Sequence, residues 1–360
     1  MKKKICIVIN NIERTFSKIV KGGGSVVAKN IILELLDRDD VELQIFSEPC
    51  NFDDQKFPVK MTKSPHFLRD YNSELSKTIE SENFDKVISL NIPYPFKTYM
   101  IQSQSYKFRC KNLPWWQQGI KKLLSLEKIT SQNEFYSGAE SDYIAVSKSI
   151  KEDYVKNLGL DPDKIKVVYP ATQRFFDDYI EPEKKDFIRL GIVAGSSMNK
   201  GGHQFIFALG LLKFMGYKFG ATVILPKYEK DKFAKLLVKI FGLKSDITFL
   251  YKDIDMKAFY SSIDCLVLPS LNEAFGLVAI EAMACSKPCL ISSTAGVAEI
   301  VEEKTSFIYN RKSFFAYLKA LIEIIKLYKN NFDFFKEYSK NAFELSKKYT
   351  WKSFVDQIIE

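Results

Sequence analysis

The sequence has few of the side chains that bind transition metals, since its 360 residues include only two histidines and no Cys-x-x-Cys pair. Its six cysteines are scattered among apolar neighbours, a pattern typical of free buried thiols in a reducing compartment. No apolar run approaches the roughly 18 residues of a membrane-spanning helix, and the run Ile5–Ile9 is too short for the apolar core of a signal peptide. These absences predict a cytoplasmic chain without a zinc site or a membrane span.

The composition is that of a folded protein, with 46% apolar and 27% charged residues. A length of 360 residues suits two domains better than one. The formal net charge is +9, and the excess of basic residues is divided almost equally between the two halves of the chain. This even spread does not indicate a nucleic-acid-binding domain, so we expect no nucleic acid among the partners.

Basic residues do concentrate once, in the segment 97–128, which holds seven lysines and arginines and a single acid, Glu127. An apolar stripe runs beside Lys121 and Lys122 within this segment; it consists of Trp115, Trp116, Ile120, Leu123 and Leu124. Two interpretations stay open. The stripe belongs either to a helix lying on an anionic membrane surface or to a core helix with a solvated lysine face. The first predicts peripheral binding to the inner face of the membrane.

Apolar strands and amphipathic helices alternate along the chain, which predicts parallel sheets with helices on both faces. The pattern breaks at the polar segment 181–186 and then starts again. We therefore expect an N-terminal Rossmann-like domain over 1–178 and a C-terminal one over 179–344, with a helix in 345–360 packing back on the first. Ligands of such doubly wound sheets bind at the carboxyl ends of the strands, so the cleft between the two halves is the predicted site.

The segment from Leu268 to Ser292 contains a strand end, a loop and a helix that begins at about Gly276. The first amides of this helix lack intrahelical acceptors, and together with the helix dipole they suit a diphosphate. Glycine at 276 would let a ligand approach the backbone closely. The segment therefore predicts an anion site at the start of the helix.

Two carboxylates flank this predicted anion site, because Glu273 precedes the helix and Glu281 lies about one turn into it. A carboxylate can accept two hydrogen bonds at once and so binds a vicinal diol well. A nucleotide-sugar offers such diols on both sides of its diphosphate, on the ribose and on the sugar. The alternative for Glu281 is an ordinary solvated helix residue, which its apolar neighbours disfavour because a buried charge is costly without a partner.

The stretch "PSLNEAFGLVAIEAMACSKPCLISSTAGVAEIV", residues 269–301, resembles the motif of the retaining glycosyltransferases of family 4, which have the GT-B fold. Their pattern is a glutamate, seven residues and a second glutamate, with Phe-Gly after the first and Glu-Ala at the second. The resemblance is dense over about residues 245–305 and weaker elsewhere. It implies an α/β protein with two Rossmann-like doubly wound parallel-sheet domains facing each other across a cleft.

The resemblance also assigns roles to the residues that match the motif. It implies that Glu281 binds the ribose hydroxyls and that Glu273, a catalytic residue, binds the donor sugar. The amides at Gly276 and Leu277 would hold the diphosphate, with Phe275 in the same donor-binding loop. No metal or other cofactor is implied, because the nucleotide-sugar is a co-substrate.

A second element, "GSSMNKGGHQF" at 195–205, contains the Lys-Gly pair that the family uses to bind the donor diphosphate. The resemblance implies that Lys200 is catalytic and stabilises charge on the leaving group. The family usually has an arginine five residues earlier, where this sequence has Gly195. Ser196 and Ser197 could donate hydrogen bonds there without supplying charge. The alternative interpretation is an ordinary surface Lys-Gly turn.

The N-terminal half carries two weaker candidates. Gly23 and Gly24 belong to a glycine-rich loop after the first strand, in which Ser25 could cap the following helix. The family has a Gly-Gly loop here near the donor, although a plain flexible loop is an equal alternative. Many relatives also carry a sugar-binding histidine in this half, and at the comparable place this sequence has Gln104, a candidate contact for the sugar or acceptor.

The resemblance implies a metal-independent, hexosyltransferase-type enzyme that moves a sugar from a nucleoside-diphosphate sugar to a hydroxyl acceptor. The expected acceptor is a saccharide or lipid-linked saccharide of a bacterial-type surface glycan. Two alternatives stay open. The missing arginine and histidine are compatible with a non-catalytic GT-B partner subunit, whereas a GT-B sugar-nucleotide epimerase should lack the glutamate pair.

Overall fold

The computed structural model describes residues 2–9, 11–16, 22–47, 56–61, 70–90, 97–111, 125–137, 141–172, 175–195, 200–251 and 254–360. The chain forms two compact units. The first consists of Met1–Ala171 with Thr350–Glu360, and the second is Thr172–Tyr349. The polar segment 181–186 belongs to the second unit. The apolar stripe of Trp115 to Leu124 lies outside the described residues.

The described part of the first unit has a parallel sheet of seven strands in the order β3-β2-β1-β4-β5-β6-β7. The strands are β1 Lys3–Ile9, β2 Val41–Ser47, β3 Val59–Met61, β4 Lys86–Leu90, β5 Thr98–Ile101, β6 Asp142–Ala145 and β7 Ile165–Val167. The interior strand β1, which pairs with β2 and β4, is buried from Ile5 to Ile9. Continuous apolar runs of this kind are expected where helices cover both faces of a parallel sheet.

Seven helices are described in the first unit. They are α1 Ile12–Phe16, α2 Gly23–Leu36, α3 Asp70–Ser81, α4 Tyr106–Lys111, α5 Leu126–Ser137, α6 Lys148–Leu158 and, at the far end of the chain, α13 Trp351–Ile359. Helix α6 ends at Leu158, because Gly159 adopts a left-handed φ of 74° directly after it. Helix α13 packs against α2 and buries Phe354, Val355 and Ile358, which makes it part of the first unit.

The described part of the second unit has a parallel sheet of six strands in the order β10-β9-β8-β11-β12-β13. The strands are β8 Arg189–Val193, β9 Gly220–Ile224, β10 Ile247–Leu250, β11 Cys265–Leu268, β12 Cys289–Ser292 and β13 Phe307–Tyr309. The chain builds this sheet outward from β8 to β10 and then returns to the other side of β8 with β11. The loops after β8 and β11 therefore diverge, and such a switch point is where doubly wound sheets bind ligands.

The helices of the second unit are α7 Gly202–Phe214, α8 Lys232–Ile240, α9 Met256–Ser262, α10 Leu277–Ala284, α11 Phe314–Asn330 and α12 Phe332–Ser346. Buried side chains of α7, α8 and α11 share one apolar core with Leu190 and Ile192 of β8. The prediction of an α/β protein with two doubly wound parallel sheets is thus confirmed. Among the described residues, no helix combines the length and apolar composition needed to cross a bilayer.

Candidate functional site

The loop between β11 and α10 carries the first of the predicted glutamates, and its shape depends on glycine. Gly276 precedes α10 with a φ of 109°, a conformation that L side chains rarely adopt. A Cβ at this position would lie 2.9 Å from Cδ2 of Leu268 and 3.3 Å from Cγ of Glu273. Glycine therefore lets the loop turn sharply into the helix while Glu273 lies directly against it.

Backbone hydrogen bonds fix this loop to the turn that follows β12. The amide of Gly296 donates to the carbonyl oxygen of Glu273 at 3.3 Å, and the amide of Val297 donates to that of Phe275 at 2.7 Å. The Phe275 ring is only 3% exposed. Phe275 therefore anchors the loop with its side chain, and a ligand contact by this residue would have to use its backbone.

Lys200 and Glu273 lie 73 positions apart in sequence, and the structure brings them into an ion pair in which Nζ of Lys200 donates to Oε2 of Glu273. Their loops follow the adjacent strands β8 and β11. Gly201 permits the close packing of these loops, since it has a φ of 74° and a Cβ there would lie 2.7 Å from the Pro269 carbonyl oxygen. The lysine side chain is 37% exposed and the carboxylate 13%, so the cation is the more accessible partner.

Glu281 lies on α10, where it accepts a hydrogen bond from the hydroxyl of Tyr260 to Oε2 at 2.7 Å. Tyr260 belongs to α9 and is fully buried. Its hydroxyl also lies 3.3 Å from the carbonyl oxygen of Val278. This single donor uses one carboxylate oxygen and fixes the rotamer, which leaves the other oxygen available to a ligand.

Burial controls the ionisation of this pair. It raises the pKa of Glu281 above the ordinary value of a glutamate, while the hydrogen bond from Tyr260 lowers it. Burial and the neighbouring carboxylate raise the pKa of the Tyr260 hydroxyl. Tyr260 therefore remains protonated and donates, which supports the carboxylate form of Glu281 against the cost of burial.

The N-terminal turn of α10 supplies the predicted anion-binding amides. Gly276 is its N-cap residue and provides no side-chain hydrogen bond. The amide of Ala279 bonds back to the carbonyl of Gly276 at 2.9 Å, whereas the preceding amides of Leu277 and Val278 have no intrahelical acceptor. The site of the second unit thus combines a cation, two carboxylates and two backbone donors.

Two polar residues in the β11–α10 loop were not foreseen from the sequence. Oγ of Ser270 and Oδ1 of Asn272 are buried and have no hydrogen-bond partner among the described residues. Buried polar atoms are normally satisfied by protein, water or ligand, so these atoms add two unused hydrogen-bonding groups beside Glu273. Nothing in their local sequence distinguishes them from ordinary loop residues.

The substitutes for the missing arginine cannot be placed, because Ser196 and Ser197 lie outside the described residues. Gly195 itself has a φ of 41°, and a Cβ there would lie 3.9 Å from Cγ of Lys200. The position five residues before Lys200 therefore lies close to the stem of the lysine.

In the first unit, Gly23 and Gly24 form the first turn of α2, which begins earlier than predicted. The expectation that Ser25 caps this helix is wrong. Gly22 is the N-cap residue, without a side-chain hydrogen bond, and the amide of Ser25 donates to the carbonyl of Gly22 at 3.1 Å. Gly22 adopts the extended conformation of a cap residue, and Gly23 and Gly24 fit into the first helical turn, so the helix starts earlier in the sequence. Because these residues have no side chains, the first amides of α2 are left exposed.

The predicted sugar contact, Gln104, follows β5 and is 8% exposed. Its backbone carbonyl oxygen accepts a hydrogen bond from Nε of Arg109 at 3.0 Å. The neighbouring Gln102 is the better candidate for a ligand contact. The nitrogen and the oxygen of its side-chain amide are both buried without a hydrogen-bond partner among the described residues.

Metal-binding groups are not found in the part of the chain that the structure describes, where no cluster of three or more His, Cys, Asp or Glu side chains could hold an ion. The pair Asp253 and Asp255 has Asp-x-Asp spacing. Asp255 is the N-cap of α9 and accepts hydrogen bonds from the amides of Lys257 and Ala258. Its position is therefore explained by helix capping.

Comparison with known proteins identifies relatives of this chain. Residues 176–345 match the family model described as Glycosyl transferases group 1. The chain is 30% identical over 194 residues to an uncharacterized glycosyltransferase, MJ1607, of Methanocaldococcus jannaschii, covering 49% of this chain and 48% of that one. It is 27% identical over 233 residues, 58% of each chain, to the N,N'-diacetylbacillosaminyl-diphospho-undecaprenol alpha-1,3-N-acetylgalactosaminyltransferase of Campylobacter jejuni. The chain thus spans about half the length of these curated relatives.

Solved structures extend the comparison to both units. Anabaena Alr3699/HepE in complex with UDP-glucose superposes with a TM-score of 0.67 at 16% identity, covering 99% of this chain and 98% of that one. At this identity the likeness shows the fold alone. The chain therefore has the GT-B fold of glycosyltransferases, and its second half is similar in sequence to the group 1 glycosyl transferases.

Proposed function

We propose that this chain is a retaining glycosyltransferase of family 4 that transfers a hexose-type sugar from a nucleoside-diphosphate sugar to a hydroxyl acceptor. The observation that carries the proposal is the gathering of Lys200, Glu273 and the first amides of α10 at adjacent strand ends, with Glu281 one turn into the same helix. This set matches the polar groups of a nucleotide-sugar in order: ribose diol, diphosphate and sugar diol.

The proposed chemistry needs little from the protein besides charge and position. Lys200 and the amides of Leu277 and Val278 stabilise the negative charge that develops on the leaving nucleoside diphosphate. Glu273 orients the sugar through its hydroxyls, and Glu281 holds the ribose. The acceptor hydroxyl attacks the anomeric carbon on the face that the diphosphate leaves, and a leaving phosphate oxygen takes its proton. No metal ion and no separate protein base are part of this proposal.

The ion pair between Lys200 and Glu273 gives this site a defined order of events. Because the two groups neutralise each other, the diphosphate must compete with Glu273 for the lysine. Donor binding then releases the Glu273 carboxylate at the moment when the sugar arrives beside it. The donor thus converts an internal ion pair into two separate ligand contacts.

The acceptor is proposed from the relatives alone. The Campylobacter jejuni protein is named for transfer to a diphospho-undecaprenol-linked saccharide, and Alr3699/HepE is described in complex with UDP-glucose. We propose a saccharide or lipid-linked saccharide acceptor of a surface glycan.

The test combines Glu273→Ala and Glu281→Ala with Glu303→Ala as a matched control, since Glu303 is an exposed glutamate of the same unit. Donor hydrolysis and transfer are measured with a panel of nucleoside-diphosphate sugars. We expect each site variant to lose at least about a hundredfold in rate, with the control unchanged. Unchanged rates in both site variants would reject the proposal.

One observation favours a second candidate, a non-catalytic GT-B subunit that binds a partner protein. Gly195 replaces the family's arginine, and the remaining lysine is engaged by Glu273. Calorimetry with nucleoside diphosphates distinguishes the two candidates, because a catalytically inactive subunit should bind none of them. Analysis of the reaction products tests the epimerase alternative, because an epimerase would convert the nucleotide-sugar into an epimer without any acceptor.

A further inference from the structure

The second unit exposes large apolar side chains along one of its helical faces. Together they form a surface, here called the α7–α8–α11 surface, that consists of Phe207, Phe214, Phe233, Leu236, Ile240 and Phe315. Phe214 and Phe315 are 88% and 82% exposed, which is unusual for phenylalanine. Exposed apolar side chains grouped on adjacent helices mark an interaction site more often than scattered single residues do.

Ring contacts around Phe207 connect the elements that carry these side chains. Phe207 of α7 lies 5.7 Å from the ring of Phe241, directly after α8, and 5.6 Å from the ring of Phe314 at the start of α11. Gly210 leaves room for Phe241, since a Cβ there would lie 2.3 Å from its ring. Phe214 continues the stripe of Phe207 two helical turns later. The three helices are therefore adjacent where Phe207, Phe241 and Phe314 meet.

Helix α8 combines exposed apolar and basic side chains without any acid. Its buried side faces the core through Ala234, Leu237 and Val238. Its outer side alternates two sets of exposed residues, the apolar Phe233, Leu236 and Ile240 and the basic Lys232, Lys235 and Lys239. A helix face exposed to water needs only the basic residues, so folding does not explain why the three apolar residues are exposed there.

The charged side chains near this surface that lack an ion-pair partner among the described residues are lysines. Asp246 is paired with Lys213 at 2.7 Å and Glu323 lies 3.8 Å from Lys319. Asp231 caps α8 through the amide of Ala234 and also contacts His203 at 2.9 Å. Lys232 and Lys239 have no ion-pair partner among the described residues. The nearby acids are thus engaged while two lysines of α8 remain available.

We propose that the α7–α8–α11 surface docks on an anionic lipid bilayer, with its apolar side chains in the interface and the lysines of α8 at the level of the headgroup phosphates. This arrangement of aromatic and aliphatic side chains beside lysines is the one that interfacial helices use. A second copy of this chain fits less well. Lysine is depleted in protein interfaces, and a two-fold interface would bring like charges together. The proposal is independent of the proposed transfer reaction.

The experiment is flotation of the full chain with vesicles of phosphatidylcholine alone and of phosphatidylcholine mixed with phosphatidylglycerol. We expect binding to the anionic vesicles only, weakened by salt. Leu236→Ser with Ile240→Ser and Lys232→Glu with Lys239→Glu should each lower the vesicle-bound fraction about tenfold or more. All four side chains are exposed, so both variants should fold, which circular dichroism checks.

Matched controls separate this surface from a general effect of charge or hydrophobicity. Phe187→Ser with Ile308→Ser removes two apolar side chains of similar exposure, 41% and 48%, outside the surface. Lys340→Glu with Lys352→Glu reverses two exposed charges elsewhere. Both controls should float like the unaltered chain. Absence of binding to anionic vesicles, equal losses in the controls, or self-association through this surface on light scattering without vesicle binding would each overturn the proposal.

Discussion

Glu281 is a carboxylate whose native environment disfavours its charge, because burial raises its pKa. The folded protein consequently binds a proton at this position more tightly than the unfolded chain does. The contribution of Glu281 to stability is therefore most favourable at low pH. It diminishes as the pH rises past the pKa of the unfolded glutamate, about 4.3, and through the raised native value. Glu281 therefore costs stability at neutral pH, as expected of a residue placed for ligand binding and not for folding.

This reasoning predicts that Glu281→Gln separates function from stability. The amide oxygen of glutamine can still accept a hydrogen bond from the Tyr260 hydroxyl, but glutamine buries no charge. At pH 7 we expect the variant to be at least as stable as the unaltered chain in denaturant unfolding, with the difference disappearing below about pH 4. Nucleoside-diphosphate affinity should fall about tenfold to a hundredfold. A variant that unfolds more easily at pH 7 would show that Glu281 is a structural residue.

A second prediction concerns Tyr260→Phe, which removes the hydrogen bond that lowers the pKa of Glu281. The pKa of the carboxyl should rise further, so the loss of nucleoside-diphosphate binding on acidification should begin at a higher pH. Affinity at neutral pH should fall about threefold to tenfold. The measurement is calorimetric titration across pH.

Tyr317→Phe is the matched control for this change, because the buried hydroxyl of Tyr317 has no hydrogen-bond partner among the described residues. Its binding profile should follow that of the unaltered chain. If the Tyr260 and Tyr317 variants showed the same pH dependence of binding, Tyr260 would have no part in positioning Glu281.

The residues with a recognisable spacing were the ones that the sequence could assign. Glu273, Glu281 and the Lys200-Gly201 pair stand in a motif, and the structure places Lys200 against Glu273. Tyr260 could not be found in this way. It lies 21 positions before its carboxylate on another helix, and tertiary packing alone creates the contact. Polar atoms without a partner, as on Asn272, are likewise a property of the fold and not of the local sequence.

At the scale of elements, the turn into α10 depends on a backbone conformation that glycine tolerates. Gly276→Ala adds a methyl group to a residue with a φ of 109° and forces it against Leu268 and Glu273. We expect a loss of about 1–3 kcal/mol in the free energy of unfolding together with loss of donor binding, because Glu273 and the amides of α10 move. Chemical denaturation and nucleoside-diphosphate titration measure the two effects.

Gly216→Ala provides the control, since Gly216 has a φ of 82° but a Cβ there meets no atom within 4 Å. It should cost about 1 kcal/mol from backbone strain alone and leave donor binding intact. Equal effects on binding from both substitutions would mean that the conformation of Gly276 has no special part in the site.

The type of each element followed from hydrophobic periodicity more reliably than its boundaries did. The helix predicted to begin at about Gly276 is α10, which starts at Leu277. Helix α2 begins three residues before its apolar pattern, because its glycines continue the helix without contributing to that pattern. The low helix propensity of glycine disfavours such a start. Packing of the buried face of α2 supplies the free energy that stabilises it.

At the scale of the whole molecule, α13 contributes its apolar face to the first unit although the second unit separates it from β7 in the sequence. Phe354 is 1% exposed, so Phe354→Ala should destabilise the first unit by about 3–5 kcal/mol. We expect hydrogen exchange to accelerate in β1 and α2, with protection in β8 and β11 retained. Lys352→Ala, an exposed change on the same helix, should alter neither. Equal loss of protection in both sheets would contradict this expectation.

The discontinuity of the first unit has a consequence for synthesis on the ribosome. The second unit is one uninterrupted stretch, Thr172–Tyr349, and it emerges completely before α13 does. It can therefore reach its native state while the first unit still exposes the side of α2 that α13 will cover. Because domains fold as they emerge, the unit whose synthesis begins first is completed last, and the side of α2 that α13 covers stays exposed until the end of the chain is made.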